Sequence, residues 1–229
     1  MNLALLHTSP VHVPVFDALR DADHPGLELR HVVREELLAR AGVEGPEAVT
    51  DEVRALLAAA VADGAQAVLC TCSTLGAVAE GLAADAGVPV LRVDRPMAAR
   101  AVAEGNGVSP ARTELRARGR IAVVATVRST FGPTLDLIGE EAARAGRAVD
   151  VRTVFVEGAW ELFLAGDRDG YLALVATAID GIAGADVIVL AQASLTDATE
   201  RAHTTLPVLA SPRPGLAAAA SECASANRA

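Results

Sequence analysis

The sequence predicts an α/β protein of two pseudo-symmetric halves, each a four-stranded parallel sheet flanked by helices, with the active-site cleft between them. Three observations predict it. Short runs rich in Val, Leu and Ile alternate with Ala-rich helical stretches, the signature of βα units around parallel sheets. There are eight such runs, four and then four more. The two sets match each other in order.

The strands are expected near Leu3 to His7, Leu27 to Val33, Ala67 to Thr71 and Val88 to Val93, then Ile121 to Thr126, Val149 to Val156, Asp186 to Ala191 and Leu206 to Ala210. LALLHTS from Leu3 parallels IAVVATV from Ile121, and LELRHVV from Leu27 parallels VDVRTVF from Val149. GAQAVLCTCSTLGAVAE from Gly64 parallels GADVIVLAQASLTDATE from Gly184, keeping the apolar run and the small, hydroxyl-rich turn. PVLRVDRP from Pro89 parallels PVLASPRP from Pro207, so Arg95-Pro96 and Arg213-Pro214 mark the same strand-to-helix junction twice. The spacings drift between 118 and 122 residues, as changes in loop length produce. The expected division is 1–95 joined by a C-terminal helix 214–229, and 96–213. Parallel sheets bind ligands beyond the carboxyl ends of their strands, which directs attention to the strand-end loops.

Composition narrows the chemistry. The chain has 229 residues, 52% of them hydrophobic and 3% aromatic, so Ala, Val and Leu build the core. All 20 positively charged side chains are arginine. Without lysine, a Schiff base with pyridoxal phosphate or a carbonyl substrate is excluded, as is a P-loop lysine. A net charge of −9 argues against a nucleic-acid partner. The basic run Arg112, Arg116, Arg118 and Arg120 is read as a solvated connector, since Gly105, Gly107, Pro110 and Gly119 punctuate it. The first ten residues lack a signal-peptide pattern and no run is long enough to span a membrane, so a cytoplasmic protein without a membrane partner is expected. With three cysteines, an odd number, free thiols are expected.

Cys70-Thr71-Cys72-Ser73-Thr74-Leu75-Gly76 closes the third strand and runs into an Ala-rich helix from about Ala77. A thiol just before a helix N-terminus meets exposed amide hydrogens and the positive end of the macrodipole, which favour the thiolate. Ser73 and Thr74 add donors able to hold a carboxylate, and either would equally serve as a helix N-cap. Cys72 is the candidate catalytic residue. Cys70 falls within the apolar run and is expected to be buried, and Cys223 is incidental. In the equivalent loops, His7, Thr8 and Ser9 follow the first strand, and Thr126, Arg128, Ser129 and Thr130 follow the fifth. Thr126, Ser129 and Thr130 suit a carboxylate-binding turn, while Ser129 or Thr130 would also cap a helix. Arg128 is expected to be an exposed loop arginine. His7 is placed to orient a proton transfer, and His12, His24, His31 and His203 are expected on surfaces or packing faces. No pair of histidines has metal-binding spacing.

The CTCSTLG motif after an apolar strand, its counterpart LAQASL and the ATVRSTFGPT that opens the second half together resemble the aspartate/glutamate/hydantoin racemase superfamily, over nearly the whole chain. That superfamily also contains arylmalonate decarboxylase and maleate isomerase. The resemblance implies two pseudo-symmetric α/β halves, no cofactor and no metal, and a small carboxylate as substrate. It leaves open a homo-oligomer. In the family's racemases one cysteine from each half faces the carbon next to a carboxylate, one removing a proton and the other returning it. Cys72 matches the first cysteine. The second is replaced by Gln192, beside Ala191, Ala193 and Ser194, which departs from two-thiol racemisation. Three readings follow: one-thiol proton transfer, as in decarboxylation; nucleophilic use of Cys72, as the maleate isomerase branch suggests; and a non-catalytic carboxylate-binding or sensing protein. Thr8, Ser9, Ser73, Thr74, Thr126, Ser129, Thr130, Gln192 and Ser194 are the expected substrate-binding residues. Few aromatics besides Phe131 and Trp160 are available to stack on an aryl group, so an aliphatic acid is favoured.

Overall fold

The computed structural model describes residues 1–105 and 118–226. Arg112 and Arg116 of the basic run lie outside the described residues. The chain divides into two compact units, Met1–Pro96 with Pro212–Ala229, and Met97–Ser211.

The first unit contains β1 (Asn2–His7), α1 (Val13–Asp23), β2 (Glu28–Val33), α2 (Glu35–Glu44), α3 (Thr50–Ala62), β3 (Ala67–Cys70), α4 (Ser73–Gly81), α5 (Ala83–Ala86), β4 (Val90–Arg92), the start of α6 (Arg95–Glu104) and α10 (Pro212–Ala226). Its strands form a parallel sheet in the order β2-β1-β3-β4. Helices cover both faces, so β1 from Leu3 to Leu6 and all of β3 are apolar rather than alternating. Side chains still take turns between the faces. Ala4, Leu6, Val68 and Cys70 pack beneath α2, α3 and α4, whereas Leu3, Leu5, Ala67 and Leu69 pack with Phe16 of α1 and Leu216, Ala219 and Cys223 of α10. Helix α10 lies close to the strand it covers because residue 215 is glycine: a Cβ there would sit 2.5 Å from the Val93 carbonyl oxygen.

The second unit contains the rest of α6, β5 (Gly119–Ala125), α7 (Phe131–Arg144), β6 (Val149–Phe155), α8 (Ala159–Leu164), α9 (Arg168–Asp180), β7 (Val187–Leu190) and β8 (Val208–Leu209). Its sheet order, β6-β5-β7-β8, repeats the first. Ile121, Val123, Val187 and Val189 pack with Met97 and Ala101 of α6 and with Leu137 and Ile138 of α7. Ala122, Val124, Ile188 and Leu190 pack with Tyr171, Val175 and Ile179 of α9.

All eight expected strands form, and their registers reproduce the alignment of the two halves. Leu3 pairs with Leu29 and Ala67, and Ile121 pairs with Val151 and Val187. Val68 pairs with Val90, and Ile188 with Val208. Both Arg-Pro pairs fall in the first turns of helices, α6 and α10. The repeat is therefore a repeat of hydrogen-bonding geometry as well as of residue pattern. Among the described residues no helix is long and apolar enough to cross a membrane.

Candidate functional site

The carboxyl edge of the first sheet carries the thiol. Strand β3 ends at Cys70, and Cys72 is the N-cap of α4, in extended conformation, with no hydrogen bond from its side chain to the helix. The helix starts four residues earlier than the sequence suggested. Ser73 and Thr74 therefore lie in its first turn instead of capping it. The position usually given to Ser, Thr or Asp is held by a cysteine, a poor acceptor that leaves the first-turn N–H groups without their usual cap. The Cys72 side chain packs at the edge of the core under α4, 9% exposed. Cys70 is fully buried and its thiol donates to the Cys72 carbonyl oxygen at 3.6 Å. Burial first, and then the neighbouring Cys72 thiol, push the Cys70 thiol far up, so it stays protonated and inert.

The turn is braced from both sides. At the end of β4, Arg92 and Asp94, 2% and 1% exposed, form a two-bond ion pair, Nε to Oδ1 at 2.7 Å and Nη2 to Oδ2 at 3.1 Å. The guanidinium runs under α4, where Gly76 makes room: a Cβ at 76 would lie 3.0 Å from both Cβ and Nε of Arg92. Arg95 pairs with Glu80 of the same helix. From β1, His7 reaches the turn, its Nδ1 2.8 Å from Thr71 Oγ1. Thr71 Oγ1 also lies 3.2 Å from the Leu6 carbonyl oxygen. Thr8 is buried and Ser9 half-buried just beyond His7. His7 itself is fully buried, and its pKa is lowered to about 3 by burial first and then by His31 and His12. Since it is shielded and neutral, His7 acts through its neighbours rather than on a ligand.

The same edge of the second sheet is built from neutral groups. Gln192, the residue aligned with Cys72, accepts three hydrogen bonds at Oε1, from Thr126 N at 2.7 Å, Thr126 Oγ1 at 3.1 Å and Val127 N at 3.2 Å. Two backbone N–H groups need an acceptor, which fixes the amide orientation and leaves the amino end of Gln192 as the outward donor. Tyr171 OH and Ser194 Oγ are 2.9 Å apart, and burial raises the phenol pKa. Thr130 is the N-cap of α7 but makes no side-chain cap bond, and Ser129 is exposed, so neither spends its hydroxyl on capping. Arg128 is exposed, as expected, with its guanidinium carbon 3.9 Å from the centroid of the Phe155 ring.

Sequence reasoning missed two features. His31 does sit on a packing face, but its hydrogen bonds were not foreseen: its Nδ1 lies 2.8 Å from His7 Nε2 and its Nε2 3.3 Å from Asp17 Oδ1. The buried Arg92–Asp94 pair was not singled out either. A charged residue in the RVDRP stretch, at the end of a strand otherwise wholly apolar, was the available signal. Among the described residues no three His, Cys, Asp or Glu side chains converge in a metal-binding arrangement.

No protein-family model and no curated protein sequence matches this chain. Solved structures do. A putative Asp/Glu racemase from Yersinia pestis is 14% identical with a TM-score of 0.65, covering 98% of this chain and 100% of that one. The aspartate racemase of Picrophilus torridus is 12% identical with a TM-score of 0.66, covering 97% and 94%. Arylmalonate decarboxylase is 16% identical with a TM-score of 0.58, covering 97% and 92%. The chain has the two-sheet α/β fold of these racemase and decarboxylase structures.

Proposed function

We propose that this chain is a cofactor-independent enzyme of the Asp/Glu racemase superfamily, in which Cys72 transfers a proton at the carbon next to the carboxylate of a small organic or amino acid. The observation that carries the reading is the Cys72 thiol standing as the N-cap of α4 at the carboxyl end of β3, in a fold shared with racemases and a decarboxylase. As the thiolate, Cys72 takes the proton from the carbon, and the electron pair passes into the carboxylate as an enediolate. In a decarboxylation the electrons of the breaking carbon–carbon bond form the same carbanion, carbon dioxide leaves, and the Cys72 S–H gives its proton to carbon.

The enediolate needs donors and no further base. Ser73, Thr74, Thr8 and Ser9 are donors of this kind at the edge of the first sheet, and Thr126, Ser129, Thr130, Ser194 and the amino group of Gln192 are donors at the edge of the second. With Gln192 where racemases of the superfamily place a second cysteine, one-thiol chemistry is the favoured form. Pyridoxal phosphate has no lysine to join in this chain.

A second reading has its own support. Gln192 Oε1 is fully engaged in holding the β5 turn, an arrangement suited to a rigid anion pocket as much as to catalysis. A carboxylate-binding protein without turnover would keep it. Incubation in heavy water with aspartate, glutamate, hydantoins, maleate and substituted malonates separates the two. The enzyme labels one of these compounds, or releases carbon dioxide from it, and C72S does not. Thermal stabilisation by a carboxylate with no labelling of any compound establishes the binding protein instead.

A further inference from the structure

Four side chains from four elements form one continuous hydrogen-bonded chain in the first unit. Asp17 of α1 meets His31 of β2 at 3.3 Å, His31 meets His7 of β1 at 2.8 Å, and His7 meets Thr71 of the β3–α4 turn at 2.8 Å. The chain runs from solvent to interior: the Asp17 side chain is 41% exposed, that of His31 15%, and His7 is fully buried. The two imidazoles are stacked, 5.0 Å between centroids. Thr71, at the inner end, immediately precedes Cys72.

Donor and acceptor counting allows this chain two states. In the first, both rings are neutral. Thr71 O–H donates to His7 Nδ1, His7 Nε2–H donates to His31 Nδ1, and His31 Nε2–H donates to the Asp17 carboxylate. The Leu6 carbonyl still accepts the Thr71 backbone N–H at 3.0 Å, so nothing buried is left unsatisfied. In the second, one more proton is present. His31 carries both N–H groups, one to Asp17 and one to His7 Nε2. His7 has switched tautomer and donates from Nδ1 to Thr71 Oγ1, and the Thr71 hydroxyl has turned to the Leu6 carbonyl oxygen, 3.2 Å away. The states differ by one proton, held on His31, and by the direction of the Thr71–His7 and His7–His31 hydrogen bonds.

We infer that Asp17, His31 and His7 are positioning residues for the Thr71–Cys72 turn, a proton-linked chain that sets the direction of the Thr71 hydroxyl, one residue before the proposed catalytic thiol. The inference rests on the reading of Cys72 as the acid–base group. The inner ring is the poorer place for the extra proton. Burial and the nearby His12, whose own pKa is lowered by burial, keep charge off His7, while Asp17 faces His31. The other charged groups around the chain are Arg20, whose Nη2 lies 3.6 Å from Asp17 Oδ1, and Arg34, which donates its backbone N–H to the His7 carbonyl and turns its guanidinium to Val33 O and Glu36. Cys70 at the end of β3 and Cys72 in the turn after it bring two thiols.

The test needs no substrate. Nitrogen-15 NMR of labelled protein reads the tautomers, and the rate of Cys72 alkylation by iodoacetamide, located by fragment-ion mass spectrometry, is followed from pH 5 to 9. The proton moves His7 from the Nε2–H to the Nδ1–H tautomer as the pH falls, and the alkylation profile shows a histidine-type inflection in addition to that of the thiol. H31Q keeps one acceptor and one donor in the chain but cannot take up the proton. It folds with unchanged circular dichroism and loses both the tautomer switch and the extra inflection. D17N moves the inflection to lower pH, because the added charge loses its counter-ion. One His7 tautomer at every pH, or an H31Q profile identical to wild type, overturns the inference. Neither result depends on turnover, so the chain can fail while Cys72-dependent labelling stands, and the reverse.

Discussion

The two units share a sheet order and a register but divide the ionisable groups unequally. Following the strand pairing, His7 corresponds to Ala125, His31 to Thr153, Cys70 to Leu190, Thr71 to Ala191, Cys72 to Gln192, Arg92 to Ala210 and Asp94 to Pro212. Each titratable group among these has a neutral counterpart in the second unit, while Glu80 and Arg95, which also brace the first turn, correspond to the charged Glu200 and Arg213. Both turns solve the same mechanical problem, tying the end of the first strand of the sheet to the end of the third. The first unit does so through His7 and Thr71, whose bonds can reverse with a proton. The second does so through Gln192, whose amide is fixed by two backbone N–H groups. The first edge therefore carries groups that can exchange protons, and the second a turn held by fixed, neutral hydrogen bonds.

The division can be broken at its most heavily buried point first. Arg92→Met leaves the Asp94 carboxylate buried without its partner, and chemical denaturation should show a loss of about 3–5 kcal/mol. Replacing both, as in Arg92→Met with Asp94→Leu, should recover much of that loss. Acid acts on the same unit through His7. Its folded pKa of about 3 lies below the ordinary histidine value of 6.5, so the unfolded chain binds the extra proton. The contribution is complete above pH 6.5, is withdrawn as the pH falls through 6.5, and is gone near pH 3. At about 1.4 kcal/mol per unit this is an effect of several kcal/mol, and a His7→Gln variant should lose less stability over that window than wild type.

In the second unit, Gln192→Leu strands the N–H groups of Thr126 and Val127, and a loss of about 1–3 kcal/mol is expected for a buried group left unsatisfied. Its stability deficit should be the same at pH 5 and pH 8, because no titrating group is involved. Tyr171→Phe removes the neutral hydrogen bonds of the phenol with Ser194 and Thr126 and should cost about 0.5–1.5 kcal/mol for each. A pH-dependent deficit in either variant would show that the second edge is not the neutral one.

The strands were legible because parallel strands covered on both faces must be apolar throughout, and Ile121–Ala125 or Val187–Leu190 can hardly be anything else. The internal alignment was legible for a related reason. Residues such as Pro89 and Pro207 mark the same points in two sheets of one register. The start of α4 was not, since Ser73 and Thr74 are ordinary caps and a cysteine is not. The His31 contacts were hidden too. They depend on β2 lying beside β1 and α1 bringing Asp17 over the pair, and no spacing within a single element encodes that. The fate of the Gln192 carbonyl likewise depends on which loop lies across from it.

The central claim is that the proton-moving group is Cys72 and that no partner of its kind exists at position 192. Deuterium incorporation next to the carboxylate, measured in heavy water for wild type, C72S and Gln192→Ala on the panel of small acids, tests it directly. The expected result is labelling or decarboxylation by wild type on one of these acids, a fall of at least about a hundredfold in C72S, and a smaller fall in Gln192→Ala. Turnover that survives in C72S would contradict the account.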